Sequence, residues 1–451
     1  MAEKLQRPNV LKKYQNLLTG MDPLRPMGRV VQITGMSIIS EGPPEVSVGD
    51  LCRVQLGRSG DYLNCEVIGF QNHHLVLTPL GPTAGVYPDA QVLGTGRRLS
   101  MPVSDELLGR VLDGLGRPLD NRPPLVSTDN RSLDNDPPSP TSRLPIRTPV
   151  ETGVRALDGL LTVGAGQRIG LFAGTGVGKS TLLGMIARYT MADVNVICLV
   201  GERGREVREF LEDDLGAEGL RKSVVFAATS DRSAMEKVYA AGFATSVAEY
   251  FREQGMHVNL YMDSLTRYCM ALREIGLAAG DQIGVGGYPP GVWYRLSRLV
   301  ERAGSTEKGS ITGFYTVLVE ADDLNDPVAD NARGVLDGHV VLSRRLAQRG
   351  HYPSIEVTES ISRVMDKVVD PEHRQNATRL RAMLASYREN EELINLGAYA
   401  RGSNAEVDEA LDKMDNINQF LRQAVSDGAR MPNTVRRLGE LVGVAEEEEF
   451  Y

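Results

Sequence analysis

The sequence predicts an α/β protein built around a parallel sheet, with a β-rich domain before it and a helical domain after it. Residues 150–379 alternate strand-like and helix-like patterns, which is typical of a parallel sheet covered on both faces. Short β-rich runs precede this region, and helical periodicity with few β signals follows it in residues 380–440. A chain of 451 residues, 41% of them hydrophobic, is long enough for two or three domains.

The first predicted element is a short amphipathic helix within residues 1–24, which ends near Gly20. Apolar side chains fall on one of its faces: Val10, Leu11, Tyr14, Leu17 and Leu18. Such a face either packs on its own domain or docks on a partner or a membrane surface. The start of the chain lacks a secretory signal, and no run of about 18 apolar residues occurs, so we expect a cytoplasmic protein without a transmembrane helix.

Residues 25–100 are predicted to form a small β-barrel, because short β-forming runs recur there between Gly, Pro and Asn. These runs are residues 30–34, 51–56, 65–70 and 74–78. Residues 101–379 are the predicted α/β domain, in which the Pro-rich stretch 120–149 is a connecting loop that crosses the surface. Residues 380–451 are the predicted helical domain.

Charge and cysteine content exclude several classes of protein. Lys and Arg number 50 against 59 Asp and Glu, and the net charge of −9 argues against a surface that grips nucleic acid. The four cysteines are Cys52, Cys65, Cys198 and Cys269. None forms a Cys-x-x-Cys pair, so we expect neither a disulfide framework nor a zinc site.

A phosphate-binding loop follows the strand predicted at residues 168–172. Residues 173–180 match the phosphate-loop pattern, although Ala173 stands where the strict pattern has glycine. Lys179 would neutralise the β- and γ-phosphates and Ser180 would ligate Mg²⁺, while the helix that follows adds the positive end of its dipole. The residues predicted to bind the nucleotide here are Gly174, Thr175, Gly176, Val177, Gly178, Lys179, Ser180 and Thr181.

Two carboxylates at strand ends complete a candidate hydrolysis site. Asp263 ends a hydrophobic strand, where open parallel sheets bind ligands, and is the candidate for the Mg²⁺ shell; a helix cap is the plainer interpretation. Glu202 directly follows the strand 194–200 and can hold the attacking water, with Glu206 as the alternate. A surface ion-pair cluster is the other interpretation of this acidic and basic stretch.

Five further sequence motifs follow the phosphate loop along the chain. Together with the phosphate loop, they resemble the type III protein-export ATPases, which are relatives of the F- and V-type rotary ATPase subunits, from about residue 25 to 440. The motifs are residues 201–206 (GERGRE), 262–268 (MDSLTRY), 287–290 (GYPP), 301–304 (ERAG) and 321–327 (ADDLNDP).

The resemblance implies a RecA-like ATPase core between an N-terminal β-barrel and a C-terminal helical domain. It implies that Glu202 is the catalytic carboxylate and that Arg203 lies beside the phosphates. Arg363 matches the arginine finger that reaches the nucleotide of an adjacent subunit, and Tyr352 matches the aromatic surface for adenine. ATP and Mg²⁺ are the implied ligands.

Assembly and partners follow from the same resemblance. One chain with both Glu202 and Arg363 suits a homohexameric ring with six equivalent sites. Residues 276–291 are too Gly-rich for regular structure and are expected near the pore, where Val285 and Tyr288 would contact a central stalk protein. The N-terminal segment is expected to bind a stator-like regulator and the helical domain to receive export chaperone–substrate complexes, with the ring at the export gate of the inner membrane.

These residues bear on four candidate functions. Residues 42–44 and 48–52 favour the flagellar export ATPase over the injectisome ATPase. The catalytic subunit of a rotary ATP synthase shares the chemistry but needs a second, homologous chain. A nucleic-acid translocase is disfavoured because the β-rich domain lacks interleaved aromatic and basic residues. A structural subunit without turnover is disfavoured by Glu202.

Overall fold

The computed structural model describes residues 27–35, 37–57, 60–319 and 326–443. They fall into two compact units, the first ending at Leu99 and the second beginning at Ser100. The predicted N-terminal helix and residues 321–325 of the last motif lie outside the described residues. None of the described helices combines the length and the apolar character needed to span a membrane.

The first unit is a closed six-stranded antiparallel barrel, which confirms the predicted barrel. Its strands are β1 (Met27–Thr34), β2 (Ser37–Glu41), β3 (Asp50–Leu56), β4 (Asp61–Gln71), β5 (His74–Pro79) and β6 (Gln91–Arg98), closed in the order β1-β2-β5-β4-β3-β6. Alternate residues point inward, as a strand with a period of two requires. In β3, for example, Cys52 and Val54 are fully buried while Arg53 faces outward.

The second unit is built on a nine-stranded, mainly parallel sheet, as the strand–helix alternation predicted. Its strands are β8 (Val111–Asp113), β12 (Arg168–Ala173), β13 (Val194–Val200), β14 (Ser223–Ala228), β15 (His257–Asp263), β16 (Gly304–Ser305), β17 (Ser310–Leu318), β18 (Gly338–Leu342) and β19 (Ile361–Ser362). The order is β19-β18-β12-β17-β15-β13-β14-β8, with β16 beside β17. Two small ribbons pair β7 (Ser100–Pro102) with β9 (Asn130–Ser132) and β10 (Pro149–Val150) with β11 (Val163–Gly164).

Helices connect and cover these strands. They are α1 (Arg155–Leu160), α2 (Lys179–Tyr189), α3 (Gly204–Glu209), α4 (Gly216–Arg221), α5 (Ala234–Glu253), α6 (Leu265–Ala279), α7 (Pro290–Glu301), α8 (Pro327–Val335), α9 (Arg344–Gln348), α10 (Met365–Val368), α11 (Pro371–Asn395), α12 (Ala405–Leu421) and α13 (Met431–Val442). A π-helical turn covers Phe210–Leu215, and 3₁₀ turns cover Asp105–Leu107, Val285–Gly287 and Val357–Glu359.

The Pro-rich stretch 120–149 is fixed to the second unit by buried charge. Arg302 forms a bidentate pair with Glu249, both side chains being only 3% exposed, and also donates to the carbonyl oxygen of Leu133. The amide of Asn135 donates to the same carboxylate of Glu249. A buried pair of this kind is stable only when its remaining hydrogen-bonding groups are satisfied, and the loop supplies those partners. The stretch therefore packs on α5 and α7.

The C-terminal helices share one hydrophobic core with the sheet. Phe420 and Leu438 belong to the same buried cluster as Leu171 of β12. Arg155 of α1 donates to the carbonyl oxygen of Phe420, and a Cβ placed on Gly159 would lie 3.3 Å from the Phe420 ring. A side chain at this position would crowd the Phe420 ring, so glycine favours the close approach of α1 to the C-terminal helices, which are anchored directly on the sheet domain.

The prediction that residues 276–291 lack regular structure is wrong at both ends of the segment, since residues 276–279 belong to α6 and residues 290–291 to α7, and a 3₁₀ turn covers Val285–Gly287 between them. Helix α6 continues to Ala279 and ends at Gly280, whose φ of 95° gives a left-handed cap. Gly276 is buried in α6 because a larger residue would meet Asp281 and Pro289. The Gly-rich composition thus serves packing as well as turns. Val285, beyond the helix, is 92% exposed.

Candidate active site

The candidate site lies at the carboxyl edge of the parallel sheet. There β12 leads into the phosphate loop, β13 is followed by Glu202 and β15 ends at Asp263. The parallel register of β13 with β15 sets Leu199 opposite Asp263. A cleft of about 560 Å³ opens at this edge. Its lining includes most of the predicted loop residues, namely Gly174, Thr175, Gly176, Gly178, Lys179, Ser180 and Thr181, and also Glu202, Arg203 and Glu206.

The backbone of the phosphate loop explains its sequence. Gly176 and Gly178 have φ values of 77° and 88°, a region that favours glycine, and Gly178 caps the N-terminus of α2. Ala173 belongs to β12 and pairs with β17 and β18, so a side chain is tolerated there and the departure from the strict pattern costs nothing. Val177 is buried and does not line the cleft, but its carbonyl oxygen accepts a hydrogen bond from Ser354 at 2.6 Å.

Lys179 brings the two predicted carboxylates together. Its Nζ lies 2.5 Å from Oδ1 of Asp263 and 3.4 Å from Oε1 of Glu202. Thr316 of β17 donates to the same Asp263 oxygen at 2.7 Å. Asp263 is 2% exposed, so the neighbouring strand and the lysine together hold its carboxylate at the floor of the site.

The electrostatics of this cluster favour a charged lysine beside a glutamate that shares its proton. Burial opposes the charge of Lys179, but Asp263 and Glu202 keep its pKa above the usual value. Burial, the Asp263 charge and a hydrogen bond with Glu206 raise the pKa of Glu202 to about 7, against the opposing effect of Lys179. The hydrogen bond with Glu202 lowers the pKa of Glu206. A carboxyl group with a pKa near neutrality is suited to proton transfer.

The residues present fit a magnesium ion that is completed by phosphate and water. Among the described residues, no cluster of three or more His, Cys, Asp or Glu side chains could hold a metal alone. A nucleotide-bound Mg²⁺ does not need one, because it keeps several waters and takes one or two protein oxygens. Ser180 lines the cleft directly after Lys179, and the buried Asp263 carboxylate contacts that lysine, so both oxygen donors face the same region.

Tyr352 and Arg363 lie apart from the acidic cluster. The Tyr352 ring is 45% exposed and sits beside the loop, since a Cβ on Gly178 would lie 3.5 Å from two ring carbons. The Arg363 guanidinium donates to the carbonyl oxygen of Arg333 at 3.3 Å on the exposed surface. Arg363 is not among the described residues that line the cleft. Arg203 does line the cleft, with a side chain 82% exposed and 3.8 Å from Glu206.

The structure adds residues that the sequence argument did not single out. Arg267, at the start of α6, lines the cleft, and its side-chain carbons come within 3.0 Å of a Cβ built on Gly201. Lys237 of α5 also lines the cleft. Arg267 follows Asp263 by four residues, so its position at a helix start after a strand end was a usable signal. Lys237 and Thr316 carried no local signal, because only the folded sheet brings them to the site.

Comparisons with known proteins identify the chain. Residues 153–362 match the nucleotide-binding domain of the ATP synthase alpha/beta family, and residues 369–440 match the C-terminal domain of the T3SS EscN ATPase. The flagellum-specific ATP synthase of Bacillus subtilis (strain 168) is 48% identical over 94% of this chain and 96% of its own length.

Two solved structures agree with these matches. The assembled ATPase EscN of the enteropathogenic E. coli type III secretion system superposes with a TM-score of 0.87 at 44% identity, over 92% of this chain and all of EscN. EscN in complex with its central stalk EscO gives a TM-score of 0.85 at 42% identity over the same shares. The chain belongs to the flagellar and type III secretion ATPases of the ATP synthase alpha/beta family.

Proposed function

We propose that this ATPase of type III protein export serves flagellum assembly and works as a homohexameric ring whose sites lie between adjacent copies. The ring is supported by the separation of Arg363 from the other proposed catalytic groups. Glu202, Lys179 and Asp263 meet in the cleft, whereas Arg363 faces the surface and bonds only weakly to a carbonyl oxygen. The exposed Arg363 of one copy can complete the cleft of an adjacent copy, which holds the other proposed catalytic groups. Residues 42–44 and 48–52 favour the flagellar over the injectisome system.

The proposed site residues have different roles in the reaction. The loop amides and Lys179 hold the β- and γ-phosphates of ATP, and Tyr352 packs against adenine. Glu202 orients a water molecule in line with the γ-phosphorus and accepts its proton as the new P–O bond forms and the bond to the ADP oxygen breaks. Arg203 and the neighbour's Arg363 neutralise charge on the γ-phosphoryl oxygens.

Ser180 would hold Mg²⁺ directly and Asp263 would hold it through water, and the ion would supply further neutralisation of the phosphate charge. In the free protein, Lys179 already bridges Asp263 and Glu202. Binding of the nucleotide therefore exchanges carboxylate partners of Lys179 for phosphate oxygens. Thr316 keeps Asp263 in place during this exchange because its hydrogen bond does not involve the lysine.

The proposed partners follow the family and the solved complex. EscN binds its central stalk EscO, and we expect a stalk protein to contact the exposed Val285 and the partly buried Tyr288 of this chain. We propose that residues 1–24 bind a stator-like regulator and that the helical domain, residues 380–451, receives chaperone–substrate complexes. The other two proposed domains are the barrel, residues 25–100, and the ATPase domain, residues 101–379. The ring is proposed to be cytoplasmic, at the export gate on the inner membrane, without nucleic acid.

The ring predicts that specific ATPase activity rises with protein concentration. A site that takes Arg363 from a neighbour is incomplete in the monomer, so dilution should lower kcat per chain. Hydrolysis of Mg-ATP is measured on the purified chain across concentrations that span assembly, with mass measured by light scattering. Activity that is absent at every concentration would instead favour a rotary ATP synthase subunit that needs a second chain.

The raised pKa of Glu202 predicts an acid limb near pH 7 in kcat/KM. Below that pH Glu202 is protonated and cannot accept a proton, so kcat/KM should fall about tenfold per pH unit. Glu206→Gln removes the hydrogen bond and the negative charge that raise this pKa. The limb should therefore move to lower pH in that variant. A limb at the same pH in both proteins would assign it to another group.

A further inference from the structure

Residues 343–363, called the arc here, join the two functional side chains that lie outside the acidic cluster. The arc leaves β18, carries Tyr352 at its middle and ends at Arg363. Its contact with the phosphate loop is direct, because the buried Ser354 donates to the Val177 carbonyl oxygen at 2.6 Å. Apart from the five-residue helix α9, one 3₁₀ turn and the two-residue β19, its backbone is irregular. Side-chain contacts must therefore fix much of its shape.

Helix α11 of the C-terminal region grips the first half of the arc through Glu391. This carboxylate accepts hydrogen bonds from Arg345, within helix α9, and, at 2.7 Å, from Arg349, which directly follows that helix. Its side chain is 11% exposed. Burial raises the pKa of Glu391, but the two guanidinium groups outweigh burial and leave it below the usual value. Glu391 thus stays charged and holds the segment that leads into Tyr352.

One helical turn earlier, Arg388 grips the second half of the arc. Its guanidinium donates to Thr358 at 2.6 Å, pairs with Glu359 and lies 3.2 Å from the buried Glu356. Glu359 precedes Arg363 by four residues. Residues three apart on a helix share a face, so Arg388 and Glu391 project toward the arc from the same side of α11.

Other contacts join the same two regions. Arg381 of α11 donates to the Ser360 carbonyl oxygen at 2.8 Å, and the Gln423 backbone N–H donates to the Tyr352 carbonyl oxygen at 2.9 Å. The arc is therefore held from the phosphate loop on one side and from the C-terminal helices on the other. A displacement of α11 must be felt by the arc, since it would take Arg388 from the buried Glu356 and leave that carboxylate with Arg345 at 3.6 Å and the Thr358 hydroxyl as partners.

We propose that Glu391 and Arg388 are positioning residues of the ATPase reaction, with Glu391 setting the adenine side through Tyr352 and Arg388 setting the arginine finger through residues 356–359. The inference rests on the proposed roles of Tyr352 and Arg363. It gives the helical region, the proposed receiver of export cargo, a physical route to both nucleotide affinity and turnover. Arg345 also lies 3.6 Å from Glu356, but Glu391 holds both Arg345 and Arg349 ahead of Tyr352, so we expect Glu391 to act mainly on affinity and Arg388 mainly on turnover.

The test separates affinity from turnover in the assembled full-length protein. Glu391→Gln is expected to weaken binding of a fluorescent ATP analogue about tenfold with kcat within about twofold, and Arg388→Met to lower kcat about tenfold with Kd within about twofold. Arg379→Met is the matched control, because Arg379 lies on the same helix but pairs with Glu409 of α12. It should change neither constant. Arg388→Lys, which retains the charge, should recover part of kcat.

Melting temperature and two reference variants keep the outcomes distinct. Tyr352→Ala must raise Kd and Arg363→Ala must lower kcat; failure of either would overturn the proposed role of that residue and the inference with it. If both references behave as expected but Glu391→Gln and Arg388→Met match Arg379→Met, the positioning role is wrong. Equal changes in Kd and kcat that scale with lost melting temperature in all three α11 variants would likewise reduce the contacts to stability alone.

Discussion

Glu202→Gln is expected to lower kcat about 10³-fold while ATP still binds, which is within the range for removal of a positioned general base. The amide has nearly the same shape as the carboxylate and can still contact Lys179, so the phosphate loop and the Asp263 pair stay in place. It cannot accept the proton of the attacking water. Single-turnover hydrolysis and binding of a fluorescent ATP analogue, measured on the same preparation, separate chemistry from affinity.

Glu206→Gln is the matched control for that loss. Glu206 lines the same cleft and shares a hydrogen bond with Glu202, yet its side chain is 41% exposed and does not contact Lys179 in the way that Glu202 does. At pH 8, where Glu202 is ionised in either protein, we expect less than about a tenfold change in kcat. If Glu206→Gln lost as much activity as Glu202→Gln, the pair would have to be assigned one joint role.

The parts of the site that sequence predicted are those written in contiguous residues. Gly176, Gly178 and Lys179 sit in one loop after a strand, and Asp263 and Glu202 each follow a hydrophobic strand. Parallel strands end at one edge of a sheet, so these side chains had to converge once the alternation of strands and helices was recognised. The barrel was likewise predicted from local sequence, because short β-forming runs recur between Gly, Pro and Asn.

The parts that sequence did not predict depend on partners distant along the chain. Thr316 reaches Asp263 across 53 residues and Ser354 reaches Val177 across 177. No local pattern marks such a contact, because serine and threonine are as common in loops as in sites. Gly276 gave the opposite difficulty: its composition suggested a loop, but a close approach by Pro289 and Asp281 makes glycine a packing residue inside α6.

Arg363→Ala is expected to lower kcat about 10³-fold or more, because an arginine finger stabilises charge that spreads over the γ-phosphoryl oxygens. Its distinctive result comes from mixing. Chains with Arg363→Ala retain Glu202, and chains with Glu202→Gln retain Arg363, so each supplies what the other lacks only across an interface. In a randomly mixed ring of equal parts, about one quarter of the interfaces join an intact Glu202 to an intact Arg363.

Two inactive preparations should therefore regain up to about a quarter of wild-type hydrolysis when they are dissociated, mixed and reassembled. A finger that acted on its own nucleotide would give no recovery at any ratio, since no chain would then hold both residues. The double variant with Glu202→Gln and Arg363→Ala in one chain is the control, because mixing it with either single variant leaves every interface without one of the two groups. Recovery with the single variants and none with the double variant would locate each active site between two copies, with Lys179, Asp263 and Glu202 on one side and Arg363 on the other.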